Sequence, residues 1–539
     1  MLIVILSFYF LFSQENNYWQ HGRLKVSINK HFLQYEDGTP FFYLADTGWE
    51  MLHRLNKEEI DFYLKIRRDQ GFNVIQTVIL SEFNGLTEPN AYGALPFQGK
   101  DPTKLIITQD KSLKIPGSYD YWDHIEYALR KAQQLGVYLA MLPCWGEYVI
   151  PREGNGIFHT EEQAYSYGNF IGKRFREFQN IIWILGGDRL PDETENGIIL
   201  WRSMAKGIAD GTNGVFNING KTDYSTTLMT YHCFASSSEW FQNDNWLDFN
   251  MWGSYHSNFN IARSYEQAYA DWLLPNPKPT INGEPAYEEH AVNWIENNGA
   301  FTAYDVRQIA YWSVFAGACG HTYGCNPVWQ FYDKSRKPVT FVHTYWQEAL
   351  QDEGALQMKY LKNLIESRPM LDRVPDQSIL ENENSVSSDH CVATRGKDYA
   401  FVYIPTGYSV TLKMGLISGD IIKAWWYNPR NGESIEIGKY KNSGRIEFTP
   451  DGISKELKWI KTGRGCDWVL VLDDVNSGFD KPGVFFLCVY IDDKLRVHGR
   501  LRCLTGSLQP ATLERDISQL LAVQGLLRLL EDFVREVFE

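Results

Sequence analysis

The sequence predicts an α/β fold, a (β/α)8 barrel followed by an antiparallel β-sandwich, on three observations. Short apolar strands alternate with helical segments eight times between Phe41 and Ser367. Those strands are nearly continuous in apolar residues, as in a parallel sheet covered on both faces. Beyond Pro369 the hydrophobic period shortens to two. The length, 539 residues, also exceeds a single barrel and requires a further domain.

Leu24 to Tyr35 (LKVSINKHFLQY) alternates about an Asn29-Lys30 turn and passes through Asp37-Gly38 into Phe41 to Asp46 (FFYLAD), the first barrel strand. Asn56 caps a helix to about Gln70, Gly71 stops it, and Phe72 to Leu80 (FNVIQTVIL) is strand two. An irregular stretch, Ser81 to Ser118, leads to the helix Tyr119 to Leu135, ended by Gly136, and to strand three at Val137 to Pro143. Thr160 and Gln163 offer a capping box for the helix Glu161 to Phe178, and strand four is Ile181 to Gly186. A helix around Glu195 to Ala209, strands at Thr227 to Cys233 and Leu247 to Trp252, a helix at Ala262 to Leu273 and strand seven at Thr280 to Gly283 follow. The apolar helix Phe301 to Ala316, strand eight at Cys319 to Tyr323 and a last helix from Thr344 to Ser367 close the ring.

The expected barrel with its hairpin therefore covers 22–370. Alternating runs such as Tyr399 to Ile404, Ser409 to Met414, Ile421 to Tyr427 and Trp468 to Leu472, separated by turn clusters, define the sandwich at 376–473. The tail, 476–539, ends in an amphipathic helix from Leu513 to Phe538. Met1 to Ser13 (MLIVILSFYFLFS) is too short to span a bilayer and resembles a signal peptide within 1–15, so a secreted or periplasmic protein is expected.

A net charge of −14 disfavours nucleic acid, and no strand is followed by GxGxxG, so no nucleotide cofactor is expected. The eight cysteines show neither CxxC nor zinc-ligand spacing. They read as buried thiols, with a Cys319–Cys325 bridge the lesser alternative. The 31 Tyr, 30 Phe and 18 Trp include the faces on which sugar rings stack, though most must be core.

The chemistry concentrates at two strand ends. NIIWILGGD delivers Asp188 from strand four and PTINGE delivers Glu284 from strand seven. Carboxyls at the carboxyl ends of barrel strands occupy the catalytic face, and two in unlike environments are what cleavage of a glycosidic bond needs. Asp46, at the end of strand one, is equally placed to hold sugar hydroxyls or to cap the next helix; Trp49 lies just beyond it. Gln76 and Glu82 flank strand two as weaker candidates. Trp145, Tyr148, His232, Trp252, Tyr255, His256, His321 and Tyr323 fall at or past strand ends and would line a sugar pocket, each with core packing as the alternative. Arg189 could pair with a uronate carboxylate or make a structural salt bridge. No metal site is expected from His232, His256 and His321, because no acidic residue shares their spacing.

FFYLADTGWE (Phe41 to Glu50), GFNVIQTVIL (Gly71 to Leu80), YWDHIEYALRKAQQLGVYLAML (Tyr121 to Leu142), WILGGDRLP (Trp183 to Pro191), NGEPAYE (Asn282 to Glu288) and GHTYG (Gly320 to Gly324) occur in this order. Over about residues 22 to 472 the chain resembles the apiosidase-like glycoside hydrolases, family 140, whose barrel is followed by a sandwich labelled collagen-binding. The resemblance implies a secreted exo-glycosidase acting on apiosyl linkages of rhamnogalacturonan II in pectin, with Asp188 as general acid/base and Glu284 as nucleophile. Retention of configuration is expected. A glycosidase of different sugar specificity and a non-catalytic carbohydrate- or matrix-binding protein are the alternatives.

Overall fold

The computed structural model describes residues 18–152, 154, 156–258, 262–381, 384–450 and 462–484, with the backbone of Tyr490–Ile491 and Val497–His498. The expected leader and the helix Leu513 to Phe538 lie outside the described residues. The chain through Gly483 forms one compact unit and Val484–Glu539 a second, of which the antiparallel pair Tyr490–Ile491 with Val497–His498 is described.

Strand β1 (Leu24–Val26) pairs antiparallel with β2 (Leu33–Tyr35), and β2 with β3 (Pro40–Phe41). Eight parallel strands then form the barrel: β4 (Tyr43–Thr47), β5 (Val74–Val78), β6 (Tyr138–Leu142), β7 (Ile181–Gly186), β8 (Met229–His232), β9 (Asn250–Gly253), β10 (Thr280–Glu284) and β11 (Gly320–Tyr323). Every residue of β4, β5 and β6 is buried, which is why these strands are apolar on both faces.

The ring closes through two ladders. One runs β11-β4-β5-β6-β7-β8 and the other pairs β10 with β9. At the seams, the Asp248 amide donates to the Met229 carbonyl and the Cys319 amide to the Thr280 carbonyl, both at 2.9 Å.

Helix starts follow the local chemistry. Asn56 and Glu59 form a reciprocal capping box for the helix Lys57–Asp69, and Asp120 with Asp123 another for Tyr121–Gln134. Thr160 accepts from the Gln163 amide to start Glu161–Phe175, but the box is incomplete because the Gln163 side chain accepts from His159 N instead, at 2.8 Å. The last barrel helix, expected as one, is two: Trp346–Ala349 and Glu353–Glu366. Between them the Leu350 carbonyl turns to accept from Arg67 Nη1 (3.1 Å) and Gln70 Nε2 (2.6 Å).

The second domain packs a six-stranded antiparallel sheet against a two-stranded one. The large sheet contains β12 (Val374–Pro375), β13 (Val392–Arg395), β14 (Tyr399–Ile404), β16 (Ile421–Tyr427), β17 (Ser434–Lys441) and β19 (Trp468–Asp474) in the order β12-β13-β14-β19-β16-β17; β15 (Val410–Lys413) pairs with β18 (Arg445–Phe448). Alternation along β14 divides its side chains between two cores. Ala400, Val402 and Ile404 face the sandwich interior with Leu412 and Phe448. Phe401 and Tyr403 join the barrel core, stacking on Phe315 (ring centroids 5.8 Å apart) and Tyr311 (4.9 Å) of the helix Ala303–Phe315.

Among the described residues Cys144, Cys233, Cys319, Cys325 and Cys391 are thiols, so Cys319 and Cys325 are not bridged.

Candidate active site

Strand β7 runs into Gly186, Gly187 and Asp188, and all three adopt left-handed backbone, with φ of 90°, 124° and 52°. For Asp188 this conformation costs on the order of 1–3 kcal/mol, so the surroundings must impose it. They do: a Cβ on Gly186 would lie 2.2 Å from the His232 carbonyl oxygen, and one on Gly187 2.8 Å from the Gly146 amide nitrogen. The Gly187 amide also donates to the His232 carbonyl at 2.9 Å, tying the turn to the end of β8. Asp188 is thereby lifted into the barrel mouth with its side chain 27 % exposed.

Glu284 arrives by a different device. In the β9–β10 ladder Asn282 pairs with Trp252 and Glu284 with Gly253, so Gly283 is the extra residue of a bulge that re-aims the carboxylate. Gln76 Nε2 donates to the Gly283 carbonyl at 2.8 Å, while the hydroxyls of Tyr43 and Thr322 donate to Gln76 Oε1 at 3.2 and 3.3 Å. The amides of Ser254 and Tyr255 both donate to the Glu284 carbonyl at 3.1 Å.

His232 stands between the carboxylates. Its Nε2 lies 3.0 Å from Glu284 Oε2, too oblique for a hydrogen bond, and its Nδ1 4.0 Å from Asp188 Oδ1. His256 Nε2 is 3.5 Å from Glu284 Oε1, and the Tyr255 hydroxyl donates to Asp188 Oδ1 at 3.4 Å. One oxygen or nitrogen of each of Asp188, His232 and Glu284 falls within 4.8 Å of the others. No acidic residue shares the sequence spacing of His232, His256 and His321, yet the fold sets two carboxylates beside His232.

These contacts separate the two acids. Burial, reinforced by the Glu284 charge, pushes Asp188 up to about 7. Burial also acts to raise Glu284, but His232 and His256 outweigh it and hold the carboxyl down at about 2. His232 itself is raised, since Glu284 overcomes the penalty of burying a cation. The opposed shifts favour a protonated Asp188 beside an ionised Glu284, the division of labour an acid and a nucleophile would need.

An aromatic wall completes the site. Trp49 Nε1 donates to the Tyr287 hydroxyl at 2.8 Å, and the Trp49 ring meets Trp145 and His232 edge-on at centroid distances of 6.0 and 5.7 Å. Burial and Glu284 keep the Tyr287 phenol protonated.

Of the residues anticipated from sequence, the structure brings together Asp188, Glu284, Trp49, Trp145, His232, Tyr255 and His256. Gln76 lies beneath them as a support for Gly283. Tyr148 holds the loop after β5, its hydroxyl donating to the carbonyls of Ser81 (2.6 Å) and Glu82 (3.0 Å). Burial and the charges of Glu50, Asp188, Glu284 and Glu147 push the Glu82 carboxyl well above the carboxylate range. Arg189 approaches Glu147 at 3.9 Å.

Four candidates point elsewhere. Asp46 is fully buried between Arg67 Nε and the Tyr63 hydroxyl, each at 2.6 Å, and neither caps a helix nor reaches the mouth. Trp252 donates to Thr280 Oγ1 at 3.0 Å, and Thr280 in turn to Asp271 of the outer helix Arg263–Trp272. Tyr323 donates to Glu288 at 2.6 Å and lies against Phe72 on the outer face of β11. His321 shares that face; it is completely buried, neither ring nitrogen has a partner, and burial lowers it to about 3. Inward on β11 it is Thr322 that reaches Gln76. Sequence reasoning missed Tyr287, His290 and Trp294, which the aromatic and imidazole content of AYEEHAVNW, directly after Glu284 and Pro285, could have signalled.

Residues 27–372 match the family described as "Apiosidase-like, catalytic domain", and residues 374–473 that described as "Putative collagen-binding domain of a collagenase". A solved structure titled "Glycoside hydrolase" is 34% identical over 86% of this chain and 99% of its own, with a TM-score of 0.74. A glycoside hydrolase family 5 structure from Bacteroides vulgatus ATCC 8482 is 32% identical over 86% of this chain and 96% of its own, with a TM-score of 0.75. No curated protein matches significantly.

Proposed function

The chain belongs to the apiosidase-like glycoside hydrolases, and from that premise we propose that it cleaves apiosyl linkages in pectic side chains of rhamnogalacturonan II with retention of configuration, Asp188 serving as general acid/base and Glu284 as nucleophile. The observation that carries the assignment is the pair itself: two carboxyls with atoms within 4.8 Å of each other, one raised to about 7 and the other held at about 2. Retaining glycosidases separate their carboxyls by about 5–5.5 Å, and inverting ones by about 6.5–9.5 Å to admit a water. Single atoms within 4.8 Å are compatible with the shorter spacing, and the proposal of retention takes that one.

In the first step a Glu284 oxygen attacks the anomeric carbon as the bond to the leaving oxygen breaks, and Asp188 gives its proton to that oxygen. In the second, Asp188 takes a proton from water as the water oxygen displaces Glu284 from the glycosyl ester. His232 and His256 keep Glu284 ionised between turnovers. The apolar leader, Met1 to Ser13, makes secretion part of the same proposal.

The pH dependence follows from the two acids. The rate should fall as pH rises through about 7, where Asp188 loses the proton it must donate, and again as pH falls toward about 2, where Glu284 gains one. A kcat/KM profile measures both limbs, and Asp188→Asn should abolish the alkaline one. An alkaline limb that survives in that variant would remove Asp188 from the role.

The specificity is tested with rhamnogalacturonan II oligosaccharides beside a panel of aryl glycosides, following the first product by proton NMR. Cleavage at apiose with the original anomeric configuration is expected. An inverted first product would refute the double displacement, and cleavage of other glycosides with none at apiose would refute the substrate.

A further inference from the structure

Past Glu284 the chain forms a loop whose geometry is unusually determined. Asn293 and Trp294 are consecutive non-glycine residues in the left-handed region, with φ of 55° and 61°. A conformation so disfavoured persists only where its surroundings specify it. Here the Asn293 amide donates to the His256 carbonyl at 2.6 Å, the Trp294 amide to Ala291 at 3.0 Å and the Val292 amide to Gly299 at 2.9 Å.

The result is a tryptophan that is fixed yet open. Trp294 is 55 % exposed, but its ring stands perpendicular to His290 at a centroid distance of 4.5 Å. His290 stacks on His256 at 4.0 Å, and His256 Nε2 is 3.5 Å from Glu284. A side chain held open by backbone strain, buttressed by the imidazoles beside the nucleophile, differs from a tryptophan stranded on a surface. At the other carboxyl the corresponding exposed ring is Phe234, 39 % exposed and 4.7 Å from Tyr255, whose hydroxyl contacts Asp188. Asp188 faces the leaving oxygen, so the Trp294 arm lies on the side of the sugar that Glu284 attacks.

We propose that Trp294 is a stacking platform for a second saccharide unit, one attached to the sugar whose anomeric bond is cleaved rather than to the leaving group. The inference rests on the glycosidase reading above and extends it: the preferred substrate carries at least two units on the glycone side. An indole face against the C–H face of a pyranose or furanose is the recognising chemistry, and it is tolerant of linkage.

The test compares an aryl monoglycoside with the same aryl glycoside carrying one further sugar on its glycone. In Trp294→Ala the ratio of KM for the extended to that for the short substrate should rise about tenfold, the scale of one lost aromatic stack, while Trp294→Phe should restore most of it. Thermal unfolding of both variants at the wild-type temperature would place the effect in binding. A ratio unchanged in Trp294→Ala, or one not restored by Trp294→Phe, would overturn the proposal. Should the wild-type protein cleave no glycoside, the glycosidase reading itself fails, and retardation in native gels containing pectic polysaccharide still decides the matter: undiminished retardation of Trp294→Ala would overturn the platform.

Discussion

Glu284→Gln is expected to abolish glycoside cleavage while leaving the fold intact. Glutamine preserves the volume and can keep the contact with His256, but the amide is neither an anion nor a nucleophile, so the glycosyl ester cannot form. Asp188→Asn should be milder and diagnostic. Loss of general acid catalysis typically costs about 10²–10⁴-fold, and the deficit should shrink on substrates whose leaving group needs no proton, such as dinitrophenyl glycosides. Steady-state rates on two aryl glycosides of different leaving-group pKa measure both effects. If Glu284→Gln retained a tenth of wild-type activity, or if the Asp188→Asn deficit were equal on the two substrates, the assigned roles would be wrong.

The largest stability effect should come from Asp467→Asn, far along the sequence from either carboxyl. Asp467 is fully buried and accepts two hydrogen bonds of 2.7 Å from Arg307, on the barrel helix Ala303–Phe315, and one of 3.1 Å from the Tyr403 hydroxyl of β14. Arg430 Nη1 approaches the same carboxylate at 3.3 Å. Burial alone would raise Asp467, but the two guanidiniums lower it, so it is an anion holding two buried cations. Asparagine leaves both without a counter-charge. Removing one partner from a buried ion pair costs about 3–5 kcal/mol, and the loss here should be at least of that order. Urea unfolding would register it as a lower midpoint, and a change below about 1 kcal/mol, the value of an exposed pair, would show that the network carries little.

The strands were legible because barrel strands are short, nearly continuous apolar runs set between helical segments, as NIIWILGGD is. The faces of those strands were not legible, for the same reason. A strand buried on both sides lacks the alternation that would tell inward from outward, and so His321 and Tyr323 were assigned to the pocket although Thr322 occupies the inward register. Asp46 failed differently: its position at a strand end was right, and what decided its orientation was Arg67, a helix residue whose proximity is tertiary. Trp294 escaped because left-handed residues at Glu289, Asn293 and Trp294 itself, which sequence pattern does not encode, return the loop to the site.

The division of the barrel into two ladders has a mechanical consequence. Asp188 follows β7 in the six-stranded ladder, whereas Glu284 ends β10 in the two-stranded one. The span between Asp188 and Glu284 therefore crosses a seam in either direction around the ring, and a seam with sparse backbone hydrogen bonds opens at lower free energy than a continuous ladder. In the proposed double displacement the sugar carbon travels toward Glu284 and then away again, while first the leaving oxygen and then the incoming water stay within reach of Asp188. The β9–β10 pair can act as a compliant stave, taking up that travel while the acid remains clamped by its glycine turn.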